Sequence, residues 1–255
     1  MCANAFSVGV INHKEFAMPR IKKALDYFSK TEKILWSASV ALIILSFVLF
    51  DRENYISLFS SLIGVTSLIF NAKGNPVGQV LIVAFSLLYG IISLTFAYYG
   101  EMITYLGMTL PMAVFALISW LKNPYNGNRS EVKVNTVCKK ELVFMSFLAV
   151  AVTVAFYFIL SYFNTANIIP STLSVTTSFV AVYLTFRRSP YFALAYAAND
   201  IVLIVLWVLA SVSDIKYVSV VVCFLAFLIN DIYGFVSWQR MRSRQSRGRR
   251  EYEAN

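Results

Sequence analysis

Tyr191 to Ser211 reads YFALAYAANDIVLIVLWVLAS, and the next apolar run, Tyr217 to Trp238, reads YVSVVVCFLAFLINDIYGFVSW. Each has the ~20 residues that a helix needs to cross a hydrocarbon core of about 30 Å. Each also holds a single charged residue, and in both cases it is the aspartate of an Asn-Asp pair: Asn199-Asp200 and Asn230-Asp231. A charge inside the bilayer costs several kcal/mol, so one that persists faces a cavity or a partner. The two runs therefore predict membrane-spanning helices with a polar interior.

Six more apolar runs precede them: Ile34–Phe50, Tyr55–Ala72, Val77–Tyr99, Met102–Leu121, Leu142–Phe163 and Ile169–Phe186, none with a charged residue. In lipid a helix satisfies its own backbone hydrogen bonds, so all eight are expected as spanning helices of an all-α polytopic membrane protein. Composition agrees, with 58% hydrophobic residues and a mean hydropathy of +0.67.

The net charge of +9 is distributed by side rather than gathered for nucleic acid. Of the 22 Lys and Arg residues, only Arg52 and Lys216 fall in loops on one side; the rest fall in the tails and the alternate loops. That bias places both termini in the cytoplasm of a bacterial plasma membrane. The Arg-rich stretch from Arg240 to Arg250 reads as a topology anchor near anionic headgroups. Ile21 to Lys33 is expected as a short amphipathic helix on the inner membrane surface.

Residue usage excludes several chemistries. Cys2, Cys138 and Cys223 are scattered, and His13 is the only histidine. Neither a disulfide framework nor a His or thiolate metal site is expected. No Gly-rich phosphate loop is present, so ATP hydrolysis has no visible means. No catalytic residue, metal or cofactor is expected, and the chain reads as no enzyme.

Loop lengths organise the chain as a cytoplasmic tail (1–33), an extra N-terminal helix (34–50), a three-helix bundle (55–121), a linker helix (142–163), a second three-helix bundle (169–238) and a basic cytoplasmic tail (239–255). The two bundles resemble each other. TSLIFNAKGNP, Thr66 to Pro76, lies over VAVYLTFRRSP, Val180 to Pro190, and the third helices end in Ser119-Trp120 and Ser237-Trp238. With one helix between them the bundles have the same orientation, a parallel repeat about an axis along the membrane normal.

This 3+1+3 plan with one added helix resembles the bacterial PnuC family of nicotinamide riboside transporters, whose core plan is SWEET-like. The resemblance runs from Tyr55 to Met241. It is carried by Leu88-Tyr89-Gly90, Tyr98-Tyr99-Gly100-Glu101-Met102 and Tyr233-Gly234-Phe235-Val236-Ser237-Trp238. Where the family offers tryptophans ahead of the polar pair, this chain has Phe192 and Tyr196. The resemblance implies uptake of nicotinamide riboside or a related nucleoside-like vitamin precursor, by facilitated diffusion with phosphorylation in the cytosol as the trap. The alternatives are carriage of (deoxy)nucleosides, thiamine or riboflavin, a membrane receptor or sensor, and an intramembrane enzyme using the two aspartates. Expected partners are the small-molecule substrate, the lipid bilayer and further copies of the chain as a homo-oligomer (trimer), with no nucleic acid.

Depth places the site. At ~1.5 Å per residue, Asp200 lies about 14 Å from the inner end of its helix and Asp231 about 11 Å from the inner end of the next. Both pairs sit near the midplane on adjacent helices. Tyr196, Asp200 and Trp207 follow one face, so a flat ring stacks on Tyr196 or Trp207 while Asn199, Asp200, Asn230 and Asp231 meet hydroxyls or an amide. Tyr89 and Gln79 are the expected contributors from the first bundle. Helix-helix hydrogen bonding, worth ~0.6 kcal/mol per bond, is the competing role of the polar pairs. Trp120 and Trp238 are expected in the interfacial aromatic belt. Pro111 removes a backbone hydrogen bond and marks a hinge or an inert kink.

Overall fold

The structure, a computed structural model, describes residues 26–95, 99–165 and 167–254. His13, Cys2 and residues 21–25 of the expected surface helix lie outside them, while Lys30 to Lys33 of that segment begin the first helix described below. The chain divides into two units, Met1–Leu35 and Trp36–Asn255. In the first, Ser29 and Glu32 form a reciprocal capping box. The Ser29 N–H donates to Glu32 Oε2 at 2.7 Å and the Glu32 N–H to Ser29 Oγ at 3.2 Å, which satisfies donors that a helix start leaves open. This cap starts α1, Lys30–Phe50, four residues before the expected apolar run.

The remaining helices are α2 (Tyr55–Ala72), α3 (Pro76–Thr95), α4, α5 (Lys139–Tyr162), α6 (Ile168–Phe186), α7 (Phe192–Ser211) and α8 (Val218–Ala254). α4 has three parts: Tyr99–Ile103, a π-helical stretch Thr104–Thr109, and Leu110–Leu121. The π stretch directly precedes Pro111, whose missing N–H and bulky ring disturb the ladder one turn upstream. Among the described residues seven helices are long and apolar enough to cross a membrane, and α3 is apolar over Pro76–Ile91. The protein is an all-α, multi-pass membrane protein.

Six helices close a ring. α2 packs on α3, α3 on α4, α4 on α6, α6 on α7, α7 on α8, and α8 back on α2. α5 leans mainly on α6, and its outer stripe of Val143, Phe147, Val150, Val154 and Phe158 is exposed, as suits a surface bathed in lipid. Between α4 and α5 a short hairpin, β1 (Pro124–Tyr125) and β2 (Asn128–Val132), packs on α8. Gln245 Nε2 donates to Glu131 Oε1 at 2.9 Å and to the Val132 carbonyl at 3.1 Å, and Arg244 pairs with Glu131 at 2.6 Å. The basic segment expected as a tail from residue 239 is therefore a continuation of α8, held by the loop it faces.

The turns after α2 and α6 share one geometry. Gly74 (φ 65°) and Arg188 (φ 55°) are both left-handed. The Gly74 and Asn75 N–H groups donate to Asn71 and Phe70 at 2.9 and 3.0 Å, and those of Arg188 and Ser189 to Thr185 and Leu184 at 2.9 and 3.0 Å. Each is a Schellman stop that satisfies the last carbonyls of its helix, and each is followed by a proline that begins the next segment.

Candidate functional site

A cavity of about 430 Å³ opens at the charge-poor end of the ring, beside the α5–α6 and α7–α8 turns. One wall is aromatic: Tyr89 of α3, Tyr105 of the π stretch, Trp207 of α7 and Tyr217. The Tyr89 and Tyr105 rings are 4.7 Å apart and those of Trp207 and Tyr217 5.3 Å. The facing wall is polar: Ser171, Ser174 and Ser178 of α6, with Thr104, Thr165 and Asn199. Among the described residues no charged side chain lines this cavity.

Asn199 is buried, and its Oδ1 accepts from Thr177 Oγ1 at 2.8 Å. With that oxygen occupied, the amide N–H₂ is the end left to donate. Trp207 is 8% exposed and lines the cavity from within the core.

Three of the eight residues expected at the site, Tyr89, Asn199 and Trp207, line this cavity. The other five lie elsewhere. Asp200 and Asp231, 3% and 4% exposed, turn to each other across the α7–α8 contact with their carboxyls in hydrogen-bonding reach. Asn199 and Asp200 are neighbours in sequence, and the ~100° that a helix turns per residue sends one to the cavity and the other to α8. Asn230 donates from Nδ2 to Ser39 Oγ at 2.8 Å and to the Ala226 carbonyl at 2.7 Å. Gln79 donates to Asn71 Oδ1 at 2.8 Å, joining α3 to α2. Tyr196 packs edge-on against Phe192 at 6.3 Å and bonds Thr185, and it does not line the cavity.

The serine row of α6 was not among the expected residues. Its signal is present in the sequence: Ser171, Ser174 and Ser178, at i, i+3 and i+7, make a hydroxyl stripe on one helix face. Tyr105 and Thr104 enter through the π stretch, which no residue pattern announces.

The charge-rich end is sealed. Trp120 and Trp238 are fully buried, not placed in an interfacial belt. Their rings lie 5.4 Å apart, with Phe192 4.9 Å from Trp238. Trp120 Nε1 donates to the Thr185 carbonyl at 2.9 Å and Trp238 Nε1 to the Asn71 carbonyl at 2.7 Å. Ser119 Oγ donates to Phe186 at 2.9 Å and Ser237 Oγ to Ala72 at 2.7 Å. An indole N–H in an apolar interior needs an acceptor, and a helix-end carbonyl that already takes a turn N–H keeps a second lone pair to accept it.

Residues 54–240 match the family described as nicotinamide mononucleotide transporter. The chain belongs to that family. A family member is a membrane transporter, which is what a ring of helices around a cavity open at one end can serve. The chain is 23% identical over 202 residues to the nicotinamide riboside transporter PnuC of Neisseria mucosa, covering 77% of this chain and 76% of that one. Its fold matches the crystal structure of the vitamin B3 transporter PnuC with a TM-score of 0.74 at 20% identity, over 86% of this chain and 94% of the other.

Proposed function

We propose that this chain carries nicotinamide riboside, or a closely similar nucleoside-like vitamin precursor, across a bacterial plasma membrane by facilitated diffusion, with phosphorylation in the cytosol as the trap. The observation that carries the reading is the chemistry of the cavity. A pyridinium nucleoside is a flat cation bearing a carboxamide and ribose hydroxyls. Aromatic faces attract such a ring by cation–π interaction, Asn199 offers amide donors, and the α6 serines suit the ribose. A mononucleotide brings a phosphate dianion, which sites recognise with Arg, Lys or a helix N-terminus, and the described lining offers no cationic side chain. The volume falls within the ~300–1,000 Å³ usual for small-molecule sites. In this reading Tyr89 and Trp207 hold the ring, Asn199 fixes its orientation, and Asp200, Asp231, Asn230, Gln79 and Tyr196 act from behind the wall.

The basic-residue bias puts both termini in the cytoplasm, so the open cavity faces outward and the tryptophan seal closes the inner side. The duplicated turns and reciprocal Ser-Trp bonds support a parallel repeat of α2–α4 and α6–α8. The exposed stripe on α5 is the surface available to a homo-oligomer, a trimer in this reading. A reporter active only outside the cytoplasm, fused after Asn255, stays silent; activity there overturns the topology.

Counterflow in proteoliposomes tests the substrate, using labelled nicotinamide riboside, its mononucleotide, thiamine, riboflavin and deoxynucleosides. Exchange of the riboside with rejection of the mononucleotide is expected. Equal exchange of the mononucleotide, or preference for another vitamin, overturns the assignment.

A further inference from the structure

Asp200 and Asp231 are the only charged residues within the apolar spans, and they touch each other rather than the substrate cavity. Two ionised carboxylates in hydrogen-bonding contact repel strongly, and burial removes the water that would screen them. A carboxyl–carboxyl hydrogen bond exists only if one partner supplies a proton, because an ionised carboxylate is acceptor-only. Among the described residues no buried cation is at hand to replace it. α2 and α6, packed against α8 and α7, contain no charged residue, and α1 has none beyond Lys33. Among the described residues, titratable groups in electrostatic reach of the pair include Tyr196 of α7 and Cys223 of α8.

A separate pocket of about 20 Å³ lies among α1, α2 and α8, lined on its polar side by Ser46, Asp51, Ser57, Ser61, Ser219 and Cys223. It shares only Tyr89 with the large cavity, and a water needs ~10–15 Å³ measured this way. Cys223 bonds Ser61 and lies in electrostatic reach of Asp200, so the polar lining of this pocket, which includes Asp51, comes near the carboxyl pair without containing it. Burial raises the Asp51 carboxyl above its ordinary value. The second Asp200 oxygen, Oδ2, is buried without a partner and remains open to an incoming donor.

We propose that Asp200 and Asp231 form a proton-binding site, filled from the outer face along the Asp51–Ser61–Cys223 path, whose shared proton holds α7 against α8 and keeps the carrier competent. Loss of that proton sets two carboxylates against each other. α7 then shifts from α8, carrying Asn199 and Trp207 out of register with the α6 serines. The proton sets the rate and does not drive accumulation, so the site is compatible with facilitated diffusion. The outer placement rests on the topology proposed above.

Two measurements on the full-length protein in lipid test this. The first is substrate exchange between pH 5.5 and 9 for wild type, Asp200→Asn and Asp231→Asn, in sodium-free buffer and with sodium added. Exchange by wild type is expected to fall about tenfold per pH unit above the titration point, the slope of one proton. In either Asn variant, whose amide donates at any pH, the slope disappears. The same slope in wild type and variants overturns the proposal, and so does a dependence on sodium in place of pH. The second measurement needs no transport: the infrared band of a protonated carboxyl at neutral pH, sensitive to deuterium exchange. Its presence in wild type and loss in the Asp200→Asn/Asp231→Asn double variant support the shared proton. Its absence from wild type overturns it whatever the variants do. Failure of the substrate assignment would leave this band unaffected, so the two readings are separable.

Discussion

Trp120 and Trp238 meet ring to ring at 5.4 Å, and each gives its indole N–H to the last turn of a helix in the opposite three-helix group. The third helix of each group thereby caps the first helix of the other. Thr185 and Asn71, the two acceptors, occupy the same position in the two Schellman turns. The seal at the charge-rich end is thus two copies of one contact.

Replacing either tryptophan by phenylalanine keeps most of the ring and removes one hydrogen bond to a carbonyl that still accepts from its own Schellman turn. A cost of about 0.5–1.5 kcal/mol is expected, of similar size for Trp120→Phe and Trp238→Phe because the contacts are alike. The two losses will not add, since the rings touch. Thermal unfolding in detergent measures this, and a neutral Trp238→Phe counts against the seal.

Asn199 is expected to give substrate a hydrogen bond through its N–H₂. Asn199→Leu should weaken binding by about 1 kcal/mol or more, roughly fivefold or greater in Kd. Thr177→Val, which frees the amide to rotate, should produce a smaller loss in the same direction. Calorimetric titration with nicotinamide riboside reads both, and wild-type affinity in Asn199→Leu removes that contact.

Trp207 is assigned to the ring of the substrate. Trp207→Leu keeps an apolar side chain but removes the π face, and the expected loss is about 0.5–2 kcal/mol in binding. Trp207→Phe should recover most of it. If leucine binds as well as phenylalanine, stacking is not the role of this position.

The left-handed turn position is glycine in one copy and arginine in the other, which gives opposite expectations. Gly74→Ala imposes a Cβ at φ 65° and should cost about 1–2 kcal/mol. Arg188→Gly relieves the same strain at φ 55° and gives up only long contacts to Ser119, 3.4 Å from its carbonyl. Its stability should hold or rise by up to about 1 kcal/mol. Matched melting curves decide it.

How much of this was legible in the sequence follows from what each pattern encodes. Apolar length fixed the helices, because lipid leaves the backbone no other partner, and depth matching brought Asp200 and Asp231 together on adjacent helices. Depth carries no angular information finer than the helix turn. The partition of Asn199 to the cavity and Asp200 to α8 was therefore out of reach, as was the fate of Gln79 and Asn230 as links between helices. Ser119-Trp120 and Ser237-Trp238 were visible as a repeated ending. A tryptophan at a helix end satisfies its N–H equally at a lipid headgroup or at a neighbouring carbonyl, and only the ring closure of α4 on α6 and α8 on α2 selects the carbonyl. The π stretch depends on Pro111 in its packed setting and left no mark in the local pattern.

The crossed caps also impose an order on biosynthesis. The carbonyl of Ala72 leaves the ribosome 165 residues before the Ser237 hydroxyl that will satisfy it. At 5–20 residues per second that is a wait of roughly 10 to 30 s. Throughout it, the end of α2 sits at the bilayer edge with open acceptors, available to water, lipid or an insertion chaperone. The last helix to be made is the one that relieves the second, so a nascent chain stalled before Trp238 is exposed at its earliest-built corner, where a quality-control protease would find it.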